Sequence, residues 1–232
     1  MPPELNGLPP PVQRYLAVAL PHGARPIRGV TLEHTGTFNL SEDGERWRPF
    51  TSTQRTTLAP PGFDWRARIR LLPGLSIRVR DAFIDGQGIL EARLLGLPLA
   101  NLRGTAELAR GELMRFLAES PWYPPVLLPG RGVRWSPLDD SSAQATLSVD
   151  GTEASLVFRF GADGLLETVR AEDRGRTVRG QVIPTPWEGR WSDYVDRDGM
   201  RVPLRGEVAW MLPGRRLCYW RGLVQRLEYD HG

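Results

Sequence analysis

A single helical segment that ends at a proline lies inside a sequence whose other segments resemble strands. Between Thr105 and Ser120, apolar residues recur at helical spacing, and Thr105 is a suitable N-cap. Pro121 prevents continuation because proline lacks the backbone N–H that the next helical turn needs. A lone helix in a β-rich chain has to bury its apolar stripe against a sheet. This segment therefore limits the fold more than any other.

The segments on either side alternate between apolar and polar residues. Trp65, Ala67 and Ile69, for example, are separated by arginines, and a period of two is typical of antiparallel strands with one buried face. Glycine (25) and proline (21) are dispersed along the chain, as turns between many short strands require. About ten strands are predicted: 31–40, 65–71, 77–83, 142–149, 153–160, 165–171, 177–183, 191–196, 202–212 and 217–229.

These patterns predict a mainly β protein of the α+β class. We expect a curved antiparallel sheet, or half-open barrel, covered by a central helix at about residues 105–120 and a short N-terminal helix at about residues 9–20. Pro11 suits the first turn of the N-terminal helix, and Pro21 ends it. The sequence has no repeat and no linker, which predicts a single domain over residues 1–232.

Charge and composition argue against several classes of protein. All 30 basic residues are arginine, and they are interleaved with 27 acidic residues rather than clustered, so no nucleic-acid partner is predicted. The N-terminus lacks the features of a secretory signal, which predicts a cytoplasmic protein. The apolar run from Leu94 to Ala100 is too short to span a bilayer. Peripheral membrane contact stays open.

Motifs of common enzymes are absent from the sequence. There is no nucleophile elbow, no phosphate-binding loop and no paired-histidine zinc motif. The three histidines, His22, His34 and His231, are scattered, and His34 fits a hydrogen-bonded core position better than a ligand position. No metal, no cofactor and no catalytic residue is therefore predicted.

Aromatic residues in stiff loops are the best candidates for a binding site. Trp122 and Trp135 bracket a proline-rich loop, and Trp187 follows Pro184-Thr-Pro186. Aromatics so placed can wall an apolar pocket or simply fill the core. The predicted ligand-binding residues, with Arg115 assigned to an acidic headgroup, are Arg115, Phe116, Leu117, Trp122, Tyr123, Leu127, Trp135 and Trp187.

Two rows of arginines should share one face of the sheet. Arg66, Arg68 and Arg70 alternate along one strand, and Arg78 and Arg80 along the next. If the hairpin pairs them, they form either a solvated outer face or a site for an acidic partner or lipid headgroup.

Several segments together resemble an uncharacterised bacterial family known only as a domain of unknown function. They are Leu8–Leu16, Gly111–Glu119 with Trp122 and Trp135, Pro186–Gly189, Gly199–Pro203 and Glu207–Trp210. The layout is also similar to the lipoprotein-carrier (Lol-type) fold, which implies a half-open barrel with helices over an apolar cavity. The chain differs from those carriers in lacking an export signal. The resemblance supplies no catalytic residues.

The predicted function is non-enzymatic binding of an apolar or amphiphilic, lipid-like small molecule under the central helix. Two alternatives stay open. One is a hydrolase or isomerase that brings Asp139, Asp140, Glu119 and Arg170 together at the cavity mouth. The other is a structural or partner-binding protein, which would expose a wide apolar patch instead of a pocket.

Overall fold

The computed structural model of the chain describes residues 5–21, 26–42 and 44–232, and His22 lies outside them. It contains two α-helices, α1 (Pro10–Ala19) and α2 (Ala106–Ala118), and thirteen strands. The strands are β1 (Gly29–Asn39), β2 (Trp47–Leu58), β3 (Pro61–Leu72), β4 (Leu75–Ile84), β5 (Gln87–Leu94), β6 (Leu97–Arg103), β7 (Val133–Asp139), β8 (Ser142–Val149), β9 (Thr152–Phe160), β10 (Leu166–Val178), β11 (Gln181–Arg197), β12 (Met200–Leu212) and β13 (Arg215–Asp230).

All thirteen strands form one antiparallel sheet in the order β6-β5-β4-β3-β2-β1-β13-β12-β11-β10-β9-β8-β7. The chain therefore runs outward as a meander from β1 to β6 and returns from β7 to β13, which pairs with β1. The edge strands β6 and β7 are joined through α2 and two short 3-10 turns, Ser120–Trp122 and Pro124–Leu127. The predicted fold class, a curved antiparallel sheet with a covering helix and a short N-terminal helix, is confirmed.

Helix α2 is defined at both ends by its sequence. The Thr105 hydroxyl accepts a hydrogen bond from the Leu108 backbone N–H (3.2 Å), and Pro121 blocks extension beyond Ala118. Its apolar stripe is buried, and the helix contacts strands of both halves of the sheet, β3–β5 on one side and β8–β10 on the other. One helix thus covers the concave face of an open sheet.

The seam between the two halves, where β1 pairs with β13, depends on glycine. Gly36 lies opposite Gly222, two residues past a bulge between Glu33 and His34. A Cβ at Gly36 would overlap the carbonyl oxygen of Arg221 and crowd the Phe50 ring, because the strands approach closely there. The two glycines therefore permit the close pairing of β1 with β13 at the seam.

The strand predictions were incomplete where strands are polar or contain proline. The segments missed were β2, β5, β6 and β7, whose sequences lack long apolar alternation. The predicted strand 177–183 is wrong, because Arg179 and Gly180 have positive φ and form the turn between β10 and β11. Pro184 to Trp187 lie inside β11 rather than in a loop, since Pro186 falls opposite a bulge of β10, where no ladder N–H is needed.

Two glycine substitutions should have opposite effects on stability. Gly36→Ala should lower the free energy of unfolding by about 1–3 kcal/mol, because the methyl group has no room against the backbone of β13. Gly111→Ala should raise it by about 0.5–1 kcal/mol, because the position is inside α2 and nothing lies within 4 Å of the added methyl. Urea denaturation followed by tryptophan fluorescence measures both. A stable Gly36→Ala protein would contradict the role of the seam.

Candidate ligand-binding cavity

A cavity of about 120 Å³ lies beneath the C-terminal turn of α2. Its walls are mostly aromatic, and five of the eight tryptophans of the chain line it. The lining residues are Phe38, Trp65, Asp81, Arg115, Ala118, Glu119, Trp122, Arg174, Trp187, Trp191, Val208, Tyr219 and Trp220. Strands from both halves of the sheet contribute, so the cavity spans the seam.

A buried ionic network forms the polar side of the cavity. Arg115 donates from Nε to Glu119 Oε1 (2.7 Å), from Nη1 to Asp81 Oδ2 (2.6 Å) and from Nη2 to Gln54 Oε1 (3.0 Å). Gln54 in turn donates to the second oxygen of Glu119 (2.6 Å). The two carboxylates outweigh the effect of burial and raise the pKa of Arg115, so its charge is fixed. Each guanidinium nitrogen is therefore already engaged within the protein.

Glu112 adds a third carboxyl group to this network, one turn before Arg115 on the same helix. Burial, reinforced by the neighbouring Asp81 carboxylate, raises the pKa of Glu112 well above its usual range. The neutral, protonated acid is the favoured form because burial and the Asp81 carboxylate together outweigh the attraction of the Arg174 and Arg115 guanidinium groups. The cluster thus contains one guanidinium, two carboxylates and one carboxylic acid, and its net charge is negative.

Three polar atoms of the lining residues have no hydrogen-bond partner. They are the indole nitrogens of Trp65 and Trp191 and the Oδ1 oxygen of Asp81. The other buried indoles of the wall are satisfied, since Trp122 donates to the Pro203 carbonyl (3.0 Å) and Trp187 donates to the Tyr219 hydroxyl (2.8 Å). An unsatisfied buried group costs about 1–3 kcal/mol. Protonated Glu112 has a side-chain hydrogen bond with Asp81, so the groups that stay without a partner in the wall are the two indole N–H donors.

Arg174 is the cation of the cavity that no carboxylate neutralises. Its guanidinium lies over the Trp187 ring, 4.8 Å from the ring centroid, and no carboxylate among the described residues is within ion-pair distance of it. It follows the bulge in β10, where Glu172 and Asp173 together lie opposite Pro186 and pair with Arg170 and Arg110. The bulge turns Arg174 toward the cavity.

The predicted binding residues fall into two groups. Arg115, Trp122 and Trp187 line the cavity. Residues that are buried or packed outside its wall are Phe116, Leu117, Tyr123, Leu127 and Trp135. Tyr123 donates to the Phe116 carbonyl (2.7 Å), and Trp135 packs edge-on against Phe158 at 5.1 Å. These five side chains therefore belong to the core packing and not to the cavity wall.

The four residues of the predicted acid–base alternative do not meet at the cavity. Glu119 lines it, but its carboxylate is held by Arg115. Asp139 is exposed at the end of β7 and accepts hydrogen bonds from Ser141, Asp140 is exposed, and Arg170 pairs with Glu172.

Sequence reasoning missed several lining residues, among them Asp81, Arg174 and Trp191. For Trp65 and Trp191 a signal was available, because the alternation of apolar and polar residues places both on the inner face of their strands. Nothing local marked Asp81 or Arg174, since Asp81 acquires its partner on α2 only in the fold and Arg174 is placed by the bulge in β10. His34 matches its expected role, since it is buried and lies within hydrogen-bond distance of the Ser52 hydroxyl (3.3 Å).

Fold and cavity together define a helix-covered, half-open antiparallel sheet with an aromatic pocket. The chain belongs to a family of unknown function, DUF6920, whose model matches residues 6–229. This confirms the predicted membership of an uncharacterised family. A comparison with curated proteins finds no match.

Two solved structures are similar in layout. A LolA superfamily protein from Nitrosomonas europaea shares 9% identity with a TM-score of 0.42, covering 94% of this chain and 91% of its own. A β-barrel-like protein of another domain of unknown function, from Brucella abortus, shares 11% identity with a TM-score of 0.21, covering 89% and 99%. We draw no inference about binding from likeness of this size.

Within the described part of the chain, no helix is long and apolar enough to cross a bilayer. In the same residues, no group of three or more histidine, cysteine, aspartate or glutamate side chains is arranged to hold a metal ion.

Replacing Glu112 or Glu119 by glutamine should have different effects on the free energy of unfolding. The pKa of Glu112 is higher in the folded protein than in the unfolded chain, where it is about 4.3. The protein therefore loses stability as the pH rises above about 4.3. Glu112→Gln cannot ionise, so its unfolding free energy should fall less than that of the wild type between about pH 5 and about pH 8. Glu119→Gln removes a charge from a buried ion pair and should cost roughly 3 kcal/mol.

Urea denaturation of the wild type and both variants at the two pH values measures this difference. The two substitutions are chemically identical and lie on the same helix, so each controls for the other. Equal losses of stability in both variants, with the wild-type pH dependence retained in Glu112→Gln, would contradict the assignment of the proton to Glu112.

Proposed function

We propose that this protein binds an apolar or amphiphilic small molecule in the cavity beneath α2 and does not act as an enzyme. The observation that carries the proposal is a tryptophan-walled cavity that retains two unpartnered indole N–H donors. Aromatic walls favour an apolar body, and a few converging polar groups orient one polar end. A core filled only for stability would have no reason to leave those donors unpaired.

The volume of the cavity restricts the ligand. At about 120 Å³ the cavity approaches the engineered apolar cavity of about 150 Å³ that accommodates benzene. It therefore suits a ring or the end of one hydrocarbon chain. A complete two-chain lipid would need α2 to move away from the sheet.

The polar end of the ligand is best matched by an anion. Arg174 supplies an unpaired positive charge beside Trp187, while Arg115 is already bound by two carboxylates. This reassigns the headgroup contact from Arg115 to Arg174. A single-chain carboxylate with its tail against the tryptophans combines both features.

Decanoate and decanol test the role of Arg174 separately from the apolar wall. Arg174→Gln should weaken decanoate binding about tenfold, the value of one charge-assisted hydrogen bond, and change decanol binding by less than about twofold. Arg170→Gln, on the same strand but paired with Glu172, is the matched control and should bind both probes like the wild type. Titration followed by tryptophan fluorescence gives the dissociation constants.

A second variant tests the cavity itself. Val208 lines the wall on β12, and Val208→Phe should fill part of the space and weaken both probes. Mass spectrometry of gently extracted wild-type protein should show a co-purified amphiphile that is reduced in this variant. The proposal fails if neither probe saturates and no amphiphile is retained, while thermal unfolding shows that both proteins are folded.

A further inference from the structure

Three arginines face one another directly across neighbouring strands on the outer face of the sheet. Arg68 on β3 is opposite Arg78 on β4, which is opposite Arg93 on β5. Like charges placed directly opposite destabilise a sheet. All three are exposed, and no carboxylate among the described residues lies within ion-pair distance of any of them. We call these three residues the arginine row.

The arginines of the neighbouring row are ion-paired. Arg66 and Arg80 share the Asp64 carboxylate, at 2.9 and 3.0 Å. The expected pairing of the hairpin is thus confirmed, and it separates two rows of different character. One row has a carboxylate between its two arginines, whereas the arginine row keeps about three positive charges within two strand spacings, roughly 10 Å, with none.

Exposed leucines occupy the two turns beyond the arginine row. Leu72 lies at the β3–β4 turn, and Leu95 and Leu97 lie at the β5–β6 turn. Their exposures are 62%, 80% and 70%, among the highest of the large apolar residues. Because Ile77 pairs with Leu94, both turns project from the same end of the sheet.

The β5–β6 turn places an exposed leucine where most similar turns of this protein have aspartate. Residues Leu95 and Gly96 both have positive φ (52° and 83°), a geometry that favours aspartate or asparagine at the first position. Of the four other turns with the same pair of positive φ values, three carry Asp-Gly, at Asp85, Asp150 and Asp198, and one carries Arg179-Gly180. An exposed leucine in this strained position has no structural advantage.

The distance between the arginine row and the exposed leucines matches the depth of a membrane surface. Arg93 precedes Leu95 by two residues, or roughly 7 Å along the strand. Apolar side chains of peripheral proteins enter the boundary of the acyl region by about 5–10 Å, so cations at this spacing lie among the headgroups.

We propose that the end of the sheet formed by Leu72, Leu95, Leu97 and the arginine row binds membranes that contain anionic lipids. Negative headgroups neutralise the arginine row, and the leucines leave water for the acyl boundary. A nucleic acid would use the arginines but leave the leucines exposed. A soluble acidic protein would have no need of apolar residues in two projecting turns.

Co-sedimentation with vesicles tests the proposal. The wild type should bind vesicles of phosphatidylcholine with about 30% phosphatidylglycerol at least tenfold more tightly than pure phosphatidylcholine, and about 0.5 M NaCl should weaken that binding. The triple variant R68Q/R78Q/R93Q should lose the preference for anionic vesicles. The matched control R55Q/R159Q/R197Q removes three exposed arginines near the opposite end of the sheet and should bind like the wild type.

Leu95→Asn distinguishes a membrane from a soluble anionic partner. Asparagine suits the turn, so the variant should be at least as stable as the wild type in thermal unfolding, yet bind anionic vesicles several-fold more weakly. If the arginine variant weakens binding but Leu95→Asn does not, the partner is a soluble or surface anion and the proposal is wrong. Equal binding by the triple variant and its control would also overturn it.

Discussion

The buried guanidinium of Arg115 is the contact on which the arrangement of helix and sheet depends. It joins α2 to β4 through Asp81 and to β2 through Gln54, so the covering helix is attached to one half of the sheet by charge as well as by apolar contact. The desolvation of such groups is costly unless every charge is paired, which fixes one position of the helix. The aromatic cavity lies beside this ionic cluster, where the core changes from polar to apolar.

The same strands build the cavity inside and the charged surface outside. On β3, Trp65 faces the cavity and Arg68 faces solvent, and on β4, Asp81 and Arg78 divide in the same way. This follows from the alternation of side chains across a strand, so the two proposed sites share one rigid support. Phe38, another lining residue, precedes the β1–β2 turn, and alternate turns of a meander project from the same end. The cavity therefore has a lining residue near the end of the sheet that carries the exposed leucines.

Local patterns in the sequence were sufficient to predict the helix and to assign the inner and outer faces of the first hairpins. Pro121 and the stripe around Leu113 determine α2 whatever surrounds it, and period two places the arginines outside. The site itself depends on pairs that are distant in sequence. Arg115 meets Asp81 and Gln54 across 34 and 61 residues, and β2, which supplies Gln54, reads as a polar segment. Arg174 is turned inward by a bulge that no local pattern announces. The prediction consequently named the helix side of the cavity and missed most of the sheet side.

The positions that break local rules are the ones that point to function. Unpaired indole donors inside the cavity, an unpaired row of like charges and a leucine with positive φ each cost stability. Three of the five turns with this geometry carry Asp-Gly, so an apolar residue at Leu95 is not the usual way in which this chain builds such a turn. Leu95 lies beside the arginine row, and that row is itself unfavourable unless an anion is present. The unpaired arginine row and the exposed leucine with positive φ are two independent costs in stability at one end of the sheet. A single partner offsets both only if it is anionic and apolar, as the surface of a lipid bilayer is.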